Sequence, residues 1–567
     1  MQRRDALATV LRHLAGTESD SAIAAATRAY DDTSDAYLLG MLSFSQFIGQ
    51  RFEDAAATAA RALETAADPE ALMLARAASG VAASGWAGPR PDTLLTARDE
   101  LALLDGVERD SATFIRYLLA EGALGCARLR LGGEIVALSP ALHADFLTEG
   151  GVPNPFLTVM EVMRVRLLGF QGRITEAIAL GEASLDRSRD PFTQLMLEAT
   201  MCLVRGNAAE KTPVRVMADR LERQLPEPLD YLSSGCYLLV AFGLIATADI
   251  RRAARLVLVA GRTPGLEKLS IIDRALGLEM LVAAAILEGD LTSAQAWLAR
   301  AEPLVDNPIA RPTVERMLSR VELLAGDAER AAEWATLAIE HARADDRAVE
   351  LAEGEIVLSR ARIALAQRGA ASAGLEALAS TSLGSGHLAA RQSAARELRG
   401  IGRRLRPTPG SGFDGLSARE RDVALLVVEG FANHAIAAEL HLSEHTVQVH
   451  VSRVLAAFGV ASRFALAAQL APLLPAAGDV AAPPPLTPRQ HAVVDRIVQG
   501  FSNEQIGREL GVSIKTVEKH VSEVFRRWNV ASRIGVSRVA RSRVAQSEAL
   551  VDPAGVRRSG ASARGSG

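Results

Sequence analysis

Aromatic residues are scarce in this chain: Phe, Trp and Tyr make up 4% of its 567 residues. A core built without them must be closed by small and aliphatic side chains, and abundant Ala suits helices packed at short range. Cysteine is nearly missing. Cys126, Cys202 and Cys236 form no CxxC pair and no metal-ligand spacing. That excludes a disulfide scaffold and leaves three reduced core thiols. No apolar run is long enough to span a bilayer. The opening stretch, MQRRDALATVLRHLAG, alternates apolar and charged residues as an amphipathic helix does. It lacks the apolar run and cleavage site of a signal peptide, so a cytoplasmic protein is expected. No GxxxxGKS or GxxxxGKT loop occurs to cradle a nucleotide phosphate. No Ser/His/Asp, Cys/His or metal constellation stands out, so the expectation is a non-enzyme without a cofactor.

What is present is helix after helix. The length suggests several domains, at about 100–200 residues each. In residues 1–405, short turns containing Gly precede Ala-rich amphipathic stretches. Gly49 to Phe52 leads into EDAAATAARALE, and Gly172-Arg173 into ITEAIALGEASLD. Gly289-Asp290 precedes LTSAQAWLARAE, and Gly326-Asp327 precedes AERAAEWATLAIEHA. The last two align with Trp297 and Trp334 in register, about 37 residues apart, near the roughly 34-residue period of tetratricopeptide helix pairs. Small residues such as Ala294, Ala331 and Ala332 let paired helices approach closely. The fold class expected is therefore all-α, beginning with a TPR-like α-solenoid of helical hairpins. Before Gly172 the pattern is less regular and its register is open. A solenoid offers a concave surface, so an unknown protein or small-ligand effector is expected on the helical repeats.

Residues 388–405 read as a basic helix. Two stretches read as linkers by composition: 406–415 (RPTPGSGFDG) and the Pro-rich 471–485 (APLLPAAGDVAAPPP). In a polyproline conformation the second could reach roughly 45 Å. Residues 544–567 are rich in Gly, Ser, Ala and Arg and read as a disordered tail.

Between these stretches one sequence occurs twice. Leu416–Arg463 (LSARERDVALLVVEGFANHAIAAELHLSEHTVQVHVSRVLAAFGVASR) repeats, without a gap, as Leu486–Arg533 (LTPRQHAVVDRIVQGFSNEQIGRELGVSIKTVEKHVSEVFRRWNVASR). The offset is about 70 residues, which marks an internal duplication. Gly430 and Gly500 end a first helix, and Asn433 and Asn503 sit where a cap for the second is expected. Ser417 with Glu420, and Thr487 with Gln490, have capping-box spacing. From Ser513 onward, Val517, Val521, Val524, Phe525 and Trp528 recur at steps of three and four, with polar residues on the opposite side. A short helix, a turn containing Gly511 and this longer helix make a helix-turn-helix.

Each copy resembles the C-terminal DNA-binding module of LuxR/GerE-type bacterial transcription regulators, with cap, turn and core positions matching over about 50 residues. The basic helix at 388–405 is similar to the one that joins helical repeats to that module in large ATP-dependent LuxR-type regulators. Here no ATPase motif accompanies it. The resemblance implies two tandem four-helix helix-turn-helix domains, at 416–470 and 486–543, and double-stranded DNA as partner. It implies base reading in the second module by Glu518, Lys519 and Ser522. Lys519 suits guanine O6/N7 and Glu518 suits cytosine N4. Ser513 caps the helix, and Lys515, Thr516 and Arg526 are placed to hold phosphates, which position without specifying.

The corresponding set in the first module is His445, Thr446, Gln448, Val449 and Ser452, followed by Arg453. Gln448 suits adenine and Val449 a thymine methyl. Charge separates the two. Residues 486–543 hold 11 Lys/Arg against 5 Asp/Glu, and residues 416–470 hold 4 against 5, within a chain of net charge -4. The first module either reads a half-site of its own or pairs with the second, whose fourth-helix region Ile534–Ala540 matches the apolar 464–470. A homodimer is the other possible pairing. A competing reading makes the chain a repeat scaffold whose helix-turn-helix modules contact protein rather than DNA.

Overall fold

The computed structural model describes residues 2–86, 92–139, 157–187, 191–224, 227–405, 412, 416–428, 430–470, 484–499, 501, 503–528, 536 and 539–540. Among them the ordered elements are helices and no strand forms. The chain divides into two compact units, Met1–Arg404 and Leu405–Gly567.

The first unit is a succession of antiparallel helical hairpins. Ile271–Leu287 pairs with Leu291–Ala301, Arg311–Ala325 with Ala328–Ala344, and Ala348–Ala364 with Arg368–Gly384. The Gly-Asp signature has a local cause. Gly289 and Gly326 take φ of +71° and +96°, where a side chain would be strained. Asp290 and Asp327 then accept the backbone N–H of Ser293 and Arg330 at 3.0 Å, which caps the next helix.

Before Gly172 hairpins persist among the described residues. Ala36–Ile48 still pairs with Phe52–Thr65, and Arg109–Gly125 with Leu129–Ala137. Their turns use Gln50 and Ala127 at φ +59° and +57° in place of Gly. Each costs about 1–2 kcal/mol in that region. The hairpin survives because burial of both helices offsets it.

The small residues allow close crossing. A Cβ at Gly206 would meet the Gly243 backbone at 2.5 Å, so Pro191–Asn207 and Tyr231–Ala246 touch main chain to main chain. One apolar cluster then runs from Leu7 to Val321.

The repeats also wind back on themselves. The Ile174 N–H donates to the Ser385 carbonyl at 3.1 Å. Arg130 pairs with Asp346 at 2.9 Å. The Phe47 and Tyr231 rings lie 4.7 Å apart. Trp297 packs against the cluster with the Arg300 guanidinium 5.4 Å from its ring. The terminal basic helix runs Leu388–Gly400 and stops five residues before the expected end, with Gly402 at φ +78°.

In the second unit, Ala418–Val428, Asn433–Glu439, Glu444–Ala457 and Arg463–Leu470 close over Val423, Val427, Ile436, Val447, Val454 and Leu466. Pro488–Val498, Asn503–Leu510 and Ile514–Trp528 repeat that arrangement over Val493, Ile497, Ile506, Val517 and Val524. Most of the second module's fourth helix, both linkers apart from Gly412, Pro484 and Pro485, and the tail lie outside the described residues.

Candidate nucleic-acid interface

Each long helix of the second unit is fixed at its start by a serine. Ser513 Oγ accepts the Thr516 N–H at 3.2 Å, and Ser443 Oγ accepts the Thr446 N–H at 3.1 Å. The turn before it is clamped by an arginine that the sequence reading passed over. Arg489 donates to the Leu510 carbonyl at 3.0 Å, and Arg419 does the same to Leu440. Both carbonyls sit at the end of the second helix, where no intrahelical partner exists. The signal was present: Arg419 and Arg489 are among the residues shared at the fixed offset.

The capping boxes form as expected and reach further. Thr487 and Gln490 exchange bonds, as do Ser417 and Glu420. Gln490 Nε2 then donates to Glu523 at 3.0 Å and its Oε1 accepts from Arg527 at 3.3 Å, tying the first helix to the third. In the first module the same link is ionic: Arg453 approaches Glu420 at 3.3 Å. Burial pushes the Glu420 carboxyl up. Hydrogen bonds from Ser417 and Arg453 outweigh that and hold it below the usual carboxylate range. Arg453, expected at the DNA, is thus half-buried and turned toward its own module.

Asn433 departs from expectation as well. Ala432 holds the cap position and makes no side-chain bond. The Asn433 side-chain oxygen instead accepts from Arg463 at 3.1 Å, and Arg463 also donates to the Phe431 carbonyl at 2.6 Å. The fourth helix is thereby lashed to the turn before the second.

With Val517, Val521, Val524 and Trp528 buried, the opposite side of Ile514–Trp528 faces outward. Ser513, Lys515, Glu518, Lys519, Ser522 and Arg526 are exposed and Thr516 is half-buried. In the first module His445, Gln448, Val449 and Ser452 are exposed and Thr446 is half-buried. The two faces match position by position. Ser522 and Ser452 each donate their hydroxyl to a helix carbonyl, at 2.9 and 3.0 Å. Their oxygens are left as acceptors. One further contact links the modules: Phe464, of the first, packs among the apolar residues of the second, a group that includes Val536, Val539 and Ala540. Among the described residues no His, Cys, Asp and Glu group could hold a metal, and no helix is long and apolar enough to cross a membrane.

Residues 414–470 and 484–540 match the family described as bacterial regulatory proteins, luxR family. A 68-residue stretch is 48% identical to a Mycobacterium bovis protein named as an HTH-type transcriptional regulator, covering 12% of this chain and 8% of that one. A 49-residue stretch is 43% identical to the HTH-type transcriptional regulator MalT of Vibrio cholerae, covering 9% and 5%. The chain thus matches less than a tenth of the length of these relatives. Of solved structures, the Cut9–Hcn1 hetero-tetramer of the APC/C is similar over 70% of this chain and 93% of that chain, at 11% identity and a TM-score of 0.24. The helical-repeat description therefore rests on the hairpins themselves. The two C-terminal modules belong to the GerE/LuxR family of bacterial helix-turn-helix regulatory domains.

Proposed function

We propose that this chain is a sequence-specific DNA-binding transcription regulator controlled through its helical repeats. Residues 1–405 take the effector, 416–470 and 486–543 are the two DNA-binding modules, 406–415 and 471–485 link them, and 544–567 form a tail. The observation that carries this reading is the outward face of Ile514–Trp528. Lys515, Lys519 and Arg526 stand exposed on a helix whose other side is locked into a core. A cationic face on a rigid helix that fits a major groove gains from phosphate contact by counterion release. Lys519 and Glu518 would reach base edges, and Lys515, Thr516 and Arg526 the backbone.

The contact of Phe464 with the second module favours the first module as an internal pairing partner. It need not exclude a half-site reading, since Gln448 and Val449 remain exposed.

Fluorescence anisotropy of labelled duplexes, selected by genome-wide mapping and titrated at several salt concentrations, tests both readings. Lys519→Ala is expected to cost about 1–3 kcal/mol. An equal loss from Gln448→Ala means that both modules read bases; no loss from Gln448→Ala assigns pairing to the first. A flat titration of the unaltered chain at low salt, with partner protein still captured, selects the scaffold reading instead.

A further inference from the structure

A cleft of about 470 Å³ opens where the repeats of the first unit wind back on themselves. The two helices of one hairpin form its long walls. Leu351, Ala352 and Glu355 come from Ala348–Ala364, and Gly374, Leu378 and Ser382 from Arg368–Gly384. The turn at Gln171 and Gly172, together with Arg343 and His387, completes the lining. The volume lies within the roughly 300–1,000 Å³ of small-molecule sites.

The cleft has two chemically different ends. At one, Gly172 lies against the first residue of the wall helix: a Cβ on it would stand 3.0 Å from the Ala348 Cβ. Arg343 sits in the turn just before that helix, its carbonyl accepting the Asp346 N–H at 3.4 Å. The Ile174 N–H, on the Ser385 carbonyl at 3.1 Å, brings His387 to the same end. At the other end stands the Glu355 carboxylate, with Oε2 3.6 Å from where a Cβ on Gly374 would be. Arg362 comes within 3.9 Å of that point, but it does not line the cleft and makes no ion pair with Glu355. Glu355 is seven residues beyond Ala348, about 10 Å along a helix.

Polar groups at both ends lack partners. His387 is 6% exposed and its ring makes no hydrogen bond among the described residues. Burial pushes its imidazole down to about 4, although Glu353 acts the other way. The ring is therefore neutral at physiological pH, with one N–H to donate. Glu355 is half-buried and Arg343 exposed, and neither takes part in an ion pair among the described residues. Nearby charges are matched: Arg316 with Glu279 and Glu350, and Arg360 with Glu397. A buried polar group left without a partner is costly, and the cost falls when a ligand supplies one.

We infer that this cleft binds a short unblocked peptide, with its ammonium on Glu355, its carboxylate on Arg343 and the His387 ring, and its side chains along Leu351 and Leu378. Its length follows from the separation of the ends: an extended chain spans roughly 3.3–3.6 Å per residue, so about three residues cover 10 Å. The inference deepens the effector role proposed for the repeats and rests on it. A peptide there touches both sides of the contact between Ile174 and Ser385, so its binding would hold that contact closed.

Isothermal titration of the full chain with alanyl-leucyl-alanine, its N-acetyl form and its C-terminal amide tests it. The unblocked peptide is expected to bind at least about ten-fold tighter than either blocked form. Glu355→Gln should erase the preference over the acetylated peptide, and Arg343→Gln the preference over the amide, each leaving the other in place. Neither side chain has an ion-pair partner in the fold to lose, so both variants should stay folded. Ala377→Trp, at an exposed position of the wall, should block all three peptides. Absence of peptide binding by the unaltered chain, no preference for the unblocked form, or a preference that persists in its matched variant overturns the proposal. Duplex anisotropy on the same preparations separates the two readings. If peptide binding fails while DNA binding stays salt-sensitive, only the ligand site is lost. If the peptide binds and DNA does not, the regulator reading fails instead.

Discussion

Where the second module carries Lys515, Glu518, Lys519 and Arg526, the first carries His445, Gln448, Val449 and Ala456. The frame beneath is the same: a serine cap, an arginine on the turn carbonyl, a box residue reaching the third helix, and an equivalent set of buried positions. The difference lies in what each helix shows to solvent. Selection for a stable frame acts on buried positions and on backbone partners, and leaves the outer face free to change. A module can therefore keep its fold after its charge has gone. The link between helices also differs in kind. Gln490 joins its neighbours as a neutral amide, and Glu420 as a carboxylate with Arg453.

That contrast can be broken most sharply by deletion. Removing residues 486–543 is expected to abolish salt-sensitive duplex binding, because the exposed cations go with them. Removing residues 416–470 should leave binding that is weaker and still salt-sensitive. Anisotropy titrations of both deletions check this, and retained binding without 486–543 would move the basic surface elsewhere.

A smaller effect is expected from exchanging chemistry between the frames. His445→Lys places an ammonium where Lys515 stands in the second module, a position assigned to the phosphate backbone. If the first module lies on the duplex, the salt slope should steepen by about 0.9 for one more phosphate contact. An unchanged slope, with binding intact, would keep the first module off the DNA.

The smallest expected effect concerns acid. The Glu420 carboxyl lies below its ordinary range in the folded module, so its contribution is present above the unfolded value of about 4.3. It is lost as pH falls through the lower folded value. Gln490 does not titrate. Hydrogen exchange at neutral pH and below pH 4 should show protection in 416–470 falling more than in 486–528. Glu420→Gln should remove that difference, and a gap that persists would place the acid sensitivity elsewhere.

The all-helical class and the duplicated modules were legible because their signals are local. Cap residues, three-and-four apolar spacing and a fixed offset are all carried by neighbours in sequence. The exposed set from Ser513 to Arg526 was readable for the same reason, since a buried stripe dictates the opposite face. The pairing of Arg453 with Glu420 left no local signal because the two are distant along the chain. Asn433 was misjudged because Arg463 competes for its side-chain oxygen. The positive-φ positions Gln50 and Ala127 are not glycines, so the conformation of those turns was not readable from residue type.

By itself, then, the sequence determined helix, repeat and duplication, because backbone propensity and periodic burial act over a few residues. Tertiary structure alone decided that Ile174 meets Ser385, that Arg453 turns to Glu420, and that Phe464 rests on the second module. Each of these depends on residues tens to hundreds of positions apart meeting in space, and no local pattern encodes such a meeting.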